Sequence, residues 1–270
     1  MAFFGLIGER LGHSLSVPIH ENLLRAMGWP GAYQLIEIPR ERFSQVGPAL
    51  TLLGFRGVNV TLPYKVDILP QLDGLDDFAR QVGAVNTVLN DGGRLMGYNT
   101  DVYGLIEMLR FHRLAPGGLP CAVLGSGGAA RAAAAALLAL GAPRVTVISR
   151  RPHGGESWGD RVGFADYKAL AAMAGGLLVN ATPVGMHPHA DACPVTPRQM
   201  AGFQGCADLI YNPGETRFAA QARALGLPAC TGLYMLVAQA VKAEEIWWGK
   251  PVPPEVTREI YQSMAKEMAL

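Results

Sequence analysis

The sequence predicts an α/β fold in two domains, and three observations lead there. Short apolar segments alternate with segments whose apolar residues recur at helical spacing, the pattern of a largely parallel sheet covered by helices. Pro116-Gly117-Gly118 punctuates that alternation midway, where one core ends and another begins. The 270 residues, 50% of them hydrophobic, suffice for one large core or two ordinary ones.

Residues 3–8 and 33–38 read as strands flanking a helix over 18–27, a βαβ unit. Ser16 is placed to cap that helix, and Pro18 suits its first turn, where an amide would stay unpaired anyway. A helix over 42–53, a strand over 57–61 and a helical stretch after Pro63 continue the alternation. Residues 85–90 and 94–99 form a hairpin about Asp91-Gly92-Gly93. The segment 101–112 carries Val102, Leu105, Ile106 and Leu109 on one helical face.

Beyond the punctuation, 121–125 is a strand, 128–140 a helix stopped by Gly141 and Pro143, and 145–149 a second strand. Strands over 177–181 and 207–211 and helices over 216–225, 233–247 and 254–268 follow; the last two can fold back onto the first domain. The adjacent Trp247 and Trp248 fit core, rim or dimer contact.

Composition excludes several functions. With 23 Lys and Arg against 22 Asp and Glu, the net charge of +1 offers no footprint for nucleic acid or an anionic membrane. The small-apolar run 132–140 is too short to span a bilayer, and no basic stretch leads into an apolar cleavable segment at the N-terminus, so a cytoplasmic protein is expected, monomer or homodimer. Cys121, Cys193, Cys206 and Cys230 lack paired spacing, which predicts buried free thiols. His187, His189, Asp191 and Cys193 alternate as ligands on an extended segment would, but Pro188 and Pro194 make this a loop, and no metal is expected.

Gly125-Ser126-Gly127-Gly128-Ala129-Ala130 lies between a strand and a helix, the context in which a glycine loop holds a dinucleotide. Gly125 permits the tight turn, Gly127 lets backbone approach a pyrophosphate, Ala130 allows close helix packing, and the helix start presents unpaired amides to the anion. These features predict a Rossmann-type domain. An acidic residue at the end of the next strand would bind a free ribose hydroxyl; here stand Ser149, Arg150 and Arg151, whose hydroxyl and guanidinium groups suit a 2′-phosphate. The cofactor expected is NADP rather than NAD.

The first domain gathers polar residues at element ends. Asn59 and Thr61 share a strand face just before Lys65, which stands at the strand terminus where open α/β sheets bind ligands. The chain has five lysines, and only an amine of that kind can exchange a proton as arginine cannot. Asn86, Thr87 and the run Tyr98-Asn99-Thr100-Asp101 add amides, hydroxyls and a carboxylate. Ser14 and Ser16 can jointly donate to a carboxylate. Taken singly, each also reads as a solvated lysine, a helix cap or a turn residue.

Together these motifs resemble the shikimate dehydrogenase family. The resemblance runs nearly end to end: Ser14-Leu15-Ser16, residues 59–65, Gly83-Ala84-Val85-Asn86-Thr87, Asn99-Thr100-Asp101, the glycine loop, Asn180-Ala181-Thr182-Pro183-Val184-Gly185-Met186, and residues 208–213 and 232–239 stand in the family's order. It implies NADP-dependent interconversion of 3-dehydroshikimate and shikimate, on the route to chorismate and the aromatic amino acids. It also implies a substrate domain over 1–101 joined by C-terminal helices 238–270, a Rossmann-type NADP domain over 102–237, and a cleft between them that can close.

Residue by residue, the resemblance implies that Ser14, Ser16 and Tyr211 hold the substrate carboxylate and that Thr61, Asn86, Asp101 and Gln239 address the ring hydroxyls, with Asn59 also among the substrate-binding residues. Lys65 and Asp101 are the implied catalytic pair, with Asp101 orienting the reacting hydroxyl. Asp77, Thr182, Leu209 and Gly232 match positions near the cofactor. Where the family commonly has Asn-Arg-Thr, this chain reads Ser149-Arg150-Arg151-Pro152-His153, which keeps the phosphate-binding charge and alters the adenine side. Three rivals remain: a quinate/shikimate dehydrogenase, with NADP or with NAD, a catalytically silent NADP-binding sensor, and a folate-type dehydrogenase of similar two-domain shape, which does not explain the paired serines or Asn99-Thr100-Asp101.

Overall fold

The computed structural model describes residues 1–12, 14–152 and 158–268, so His153 lies outside the described residues. The chain divides into two compact units, Met1–Thr100 with Gln239–Met264, and Asp101–Ala238 with the residues after Met264. Its early elements are β1 (Ala2–Gly8), α1 (Ser16–Met27), β2 (Gly31–Glu37), α2 (Val46–Leu52), β3 (Phe55–Val60), β4 (Gly74–Leu75), α3 (Asp77–Val82), β5 (Thr87–Asp91), β6 (Arg94–Tyr98) and α4 (Thr100–Phe111). There follow β7 (Cys121–Leu124), α5 (Gly128–Ala139), β8 (Val145–Ile148), β9 (Val162–Ala165), β10 (Gly175–Asn180), α6 (Pro197–Met200), β11 (Phe203–Asp208), α7 (Arg217–Ala224), β12 (Ala229–Cys230), α8 (Leu233–Trp248) and α9 (Pro254–Met268). The α/β class is the one expected.

The first unit is a mixed sheet in the order β2-β1-β3-β5-β6-β4, in which β1 runs parallel to β2 and β3 while the β5–β6 hairpin joins antiparallel to β3. Side chains alternate across it. Val58, Val60, Ile7 and Tyr64 belong to one buried cluster, and Phe4, Leu6, Leu24, Tyr33 and Trp247 to another. Trp247 is wholly buried. Its indole crosses β3 at Gly57, where a Cβ would lie 2.1 Å from Nε1, and that nitrogen donates to the Val88 carbonyl at 2.9 Å. Trp248 stacks on Trp29 instead.

The second unit is a parallel sheet in the order β12-β11-β10-β7-β8-β9, the doubly wound arrangement that switches direction between β7 and β10. The alanines of α5 are buried from Ala132 to Ala136, since a helix without bulk can lie close on its strands. No helix among the described residues is long and apolar enough to cross a membrane.

Several local expectations are corrected. The stretch after Pro63 forms turns that run into a 3₁₀ helix, Leu69–Gln71, rather than an α-helix, and the Lys65 carbonyl accepts from the Val85 N–H instead of from the i to i+4 ladder. The helix expected over 42–53 is a 3₁₀ turn, Arg40–Gln45, followed by α2. Ser16 is the first helical residue and no cap; Ser14 Oγ accepts from its N–H at 3.2 Å. The short elements β4, α3, β9, α6 and β12 have too few residues to show a period.

Candidate active site

At one end of the first sheet, the end of β3, the start of β5 and the end of β6 meet. Asn59 lies opposite Thr87, and Thr87 opposite Tyr98. Asn59 Nδ2 donates to Thr87 Oγ1 at 3.0 Å and to the Asn86 carbonyl at 3.3 Å, while its Oδ1 accepts from Tyr33 Oη at 2.8 Å. Asn86 Oδ1 accepts from the Thr100 N–H at 2.7 Å, and Thr100 Oγ1 lies 3.4 Å from Gln239 Oε1. A continuous buried polar ladder thus joins Tyr33, Asn59, Thr87, Asn86 and Thr100, and ends at Gln239.

The serines stand at the other end of this ladder. Ser14 Oγ donates to Ser16 Oγ at 3.0 Å, and the Ser16 side chain stands beside the Tyr33 phenol. Burial, and behind it the Glu244 charge, push the Tyr33 phenol well above its usual value, so it remains a neutral donor. Thr61 continues β3 through its N–H to the Ile7 carbonyl at 2.9 Å. Lys65 is tied by its backbone to Val85, beside Asn86. Asp77 is placed on α3, its exposed carboxylate paired with Arg80 at 2.7 Å.

In the second unit the predicted residues converge along the C-terminal rim of the sheet. Gly125, at φ +105°, follows β7, and a Cβ there would stand 3.0 Å from the Ala181 carbonyl and 3.2 Å from the Thr182 methyl. Gly232 is pressed against Leu209, where a Cβ would come within 2.1 Å of the carbonyl. By contrast nothing lies within 4 Å of the Cβ positions at Gly127 and Gly128. Ser126, Gly127, Gly128 and Ala129 are exposed around the start of α5, so its free amides face open space. Ser149, buried, ends β8 with its N–H on the Ala165 carbonyl, and Arg150 and Arg151 follow it exposed.

Beneath the rim is a network that sequence reasoning missed. Asn180 Nδ2 donates to Asp208 Oδ1 at 3.0 Å, its Oδ1 accepts from Thr182 Oγ1 at 2.7 Å, and Thr216 Oγ1 donates to Asp208 Oδ2 at 2.7 Å. Burial pushes the Asp208 carboxyl up to about 6, against the hydrogen bonds that favour its charge. Tyr211 follows β11 half-buried, and burial raises its phenol above the usual value. Asp101 occupies the first turn of α4. Around residues 187–193, His187 N–H bonds the Asn212 carbonyl and Cys193 Sγ points to the Val195 carbonyl; among the described residues no three His, Cys, Asp or Glu side chains come together as a metal would require.

Residues 6–88 match the family model of the shikimate dehydrogenase substrate binding domain, and residues 232–260 that of the shikimate 5′-dehydrogenase C-terminal domain. A curated shikimate dehydrogenase (NADP(+)) of Clostridium beijerinckii is 39% identical over 99% of both chains. The chain belongs to the shikimate dehydrogenase family. A shikimate 5-dehydrogenase from Thermus thermophilus, solved in complex with NADP(H) and shikimate, is 35% identical with a TM-score of 0.87 over 97% of this chain and 99% of its own. Quinate dehydrogenase from Corynebacterium glutamicum, solved in complex with NAD, reaches the same TM-score at 30% identity over 97% and 99%. The curated relatives named shikimate dehydrogenase (NADP(+)) favour shikimate and NADP over the quinate alternative. The matched substrate-domain region contains Ser14, Ser16, Asn59, Thr61, Lys65, Asp77 and Asn86, while the C-terminal match contains Gly232 and Gln239.

Proposed function

We propose that this protein is the NADP-dependent shikimate dehydrogenase of aromatic amino acid biosynthesis, reversibly reducing 3-dehydroshikimate to shikimate. The observation that carries the reading is the pair of chemistries on one chain: a polar ladder ending in two serines, and a glycine rim followed by Ser149, Arg150 and Arg151. The rim suits NADP. Open space at positions 127 and 128 admits a pyrophosphate to the α5 amides, and two guanidinium groups suit a 2′-phosphate that an acidic residue would repel. The cofactor, when bound, supplies or accepts the hydride.

The substrate carboxylate is held by Ser14, Ser16 and Tyr211, all neutral donors. Asn59 braces Asn86 from beneath, and Thr61, Asn86 and Gln239 address the ring hydroxyls. Lys65 Nζ gives a proton to the carbonyl oxygen as negative charge grows there, and takes it back in the oxidation; Asp101 orients the hydroxyl. Thr182, Leu209 and Gly232 shape the nicotinamide side.

Cofactor choice is tested by titrating NADP+ and NAD+ into the wild type and Arg150→Ala. The variant is expected to lose NADP+ affinity by at least about tenfold, the worth of a charge-assisted bond, with NAD+ affinity unchanged. Equal losses for both nucleotides would contradict the assignment.

A further inference from the structure

His20 and Glu244 form a buried pair that the reaction described above does not use. The imidazole sits one helical turn beyond Ser16 on α1, and its Nδ1 lies 2.7 Å from Oε1 of Glu244 on α8, with both side chains fully buried. Glu244 Oε2 accepts from Trp248 Nε1 at 2.9 Å, so both carboxylate oxygens are occupied and His20 Nδ1 is the donor. Burying such a pair costs desolvation that two apolar side chains of the same size would avoid.

Among the described residues His20 Nε2 has no hydrogen-bond partner. The face of the ring is what makes contact. The imidazole lies flat on the Tyr33 ring, centroids 3.9 Å apart and planes within 7°. The Tyr33 hydroxyl in turn donates to Asn59 at 2.8 Å and stands beside Ser16. An apolar ring in place of His20 would be free to slide or rotate, whereas an imidazole fixed at one nitrogen by an immobile carboxylate holds one plane.

We propose that His20 and Glu244 are positioning residues for the carboxylate-binding end of the substrate site: Glu244 fixes the imidazole plane, the imidazole fixes Tyr33, and the Tyr33 hydroxyl sets Ser16 and Asn59. This rests on the reading that Ser16 binds the substrate carboxylate. Neither residue touches substrate, so their loss falls on binding of the acid rather than on hydride transfer or the nucleotide.

The test is steady-state kinetics with shikimate and NADP+ on four proteins: wild type, His20→Leu/Glu244→Leu, Tyr33→Phe, and the triple variant. The double replacement leaves no buried charge unpaired. It is expected to raise KM for shikimate about tenfold, the scale of one misplaced hydrogen bond, with kcat and KM for NADP+ nearly unchanged. Tyr33→Phe should do the same, and the triple variant should add little, because the three residues act in series. A folded double variant with wild-type KM, or additive effects in the triple, would overturn the proposal. If the leucine variants do not fold, Tyr33→Phe carries the test: a raised shikimate KM supports the proposal and an unchanged one overturns it. A wild type inactive on shikimate would refute the functional reading and this proposal with it, whereas an active wild type with indifferent variants refutes the positioning role alone.

Discussion

Asp208 shows how a residue can matter to the site without meeting a ligand. Its two oxygens hold Asn180, Thr216 and the Ile210 N–H, and Asn180 in turn holds Thr182 on the cofactor rim. Burial raises its folded pKa to about 6, above the unfolded value near 3.9. The unfolded chain therefore loses its proton first as pH rises, and the stability present below about pH 4 is lost as pH passes through about 6, an effect on the order of 3 kcal/mol. Asp208→Asn should escape that loss. The difference in melting temperature, variant minus wild type, is expected to grow by several degrees between pH 4 and pH 7 in paired scans; a constant difference would contradict it. Asp208 was readable only as part of a motif, since nothing local distinguishes a strand-end carboxylate that braces its neighbours from one that binds ligand. Tyr33 escaped, and Thr87 and Thr100 were singled out without their partners, because those are set by strand pairing that residue spacing does not reveal.

At the scale of elements, the glycine loop and α5 were legible because each small residue has a separate local task, and the observed helix Gly128–Ala139 ends one residue before the expected 140. The stretch after Pro63 was less legible, since the Lys65 carbonyl takes a long-range bond from Val85 that residue spacing does not reveal. The return of α8 to the first sheet is likewise a matter of distant contacts: Trp247 lies on Gly57 and bonds Val88, 159 positions away. Gly57→Ala should therefore unseat the indole, destabilising the protein by about 1–3 kcal/mol in denaturant titration and exposing Trp247 fluorescence to quencher. An unchanged midpoint with normal quenching would show that the indole can shift at no cost.

Across the whole molecule, each unit carries one half of the chemistry. Of the residues proposed for the site, the first holds Ser14, Ser16, Lys65, Asn86 and Gln239, the second the glycine loop with Thr182, Leu209 and Tyr211. Fold class and family were readable from the sequence because binary pattern, glycine chemistry and motif order all agree. Choice of shikimate was legible only through the resemblance and the paired serines, a reading that the relatives named shikimate dehydrogenase (NADP(+)) support, since quinate differs only by a hydroxyl at the carboxylate-bearing carbon and both sorts of enzyme share this fold. The measurement that decides is the initial rate of nicotinamide reduction with shikimate or quinate crossed with NADP+ or NAD+, using wild type and Lys65→Ala. Shikimate with NADP+ is expected to lead clearly, and Lys65→Ala to lower kcat by about 10²- to 10⁴-fold with little change in KM. Faster turnover of quinate or with NAD+, or a lysine variant with unchanged kcat, would contradict the account.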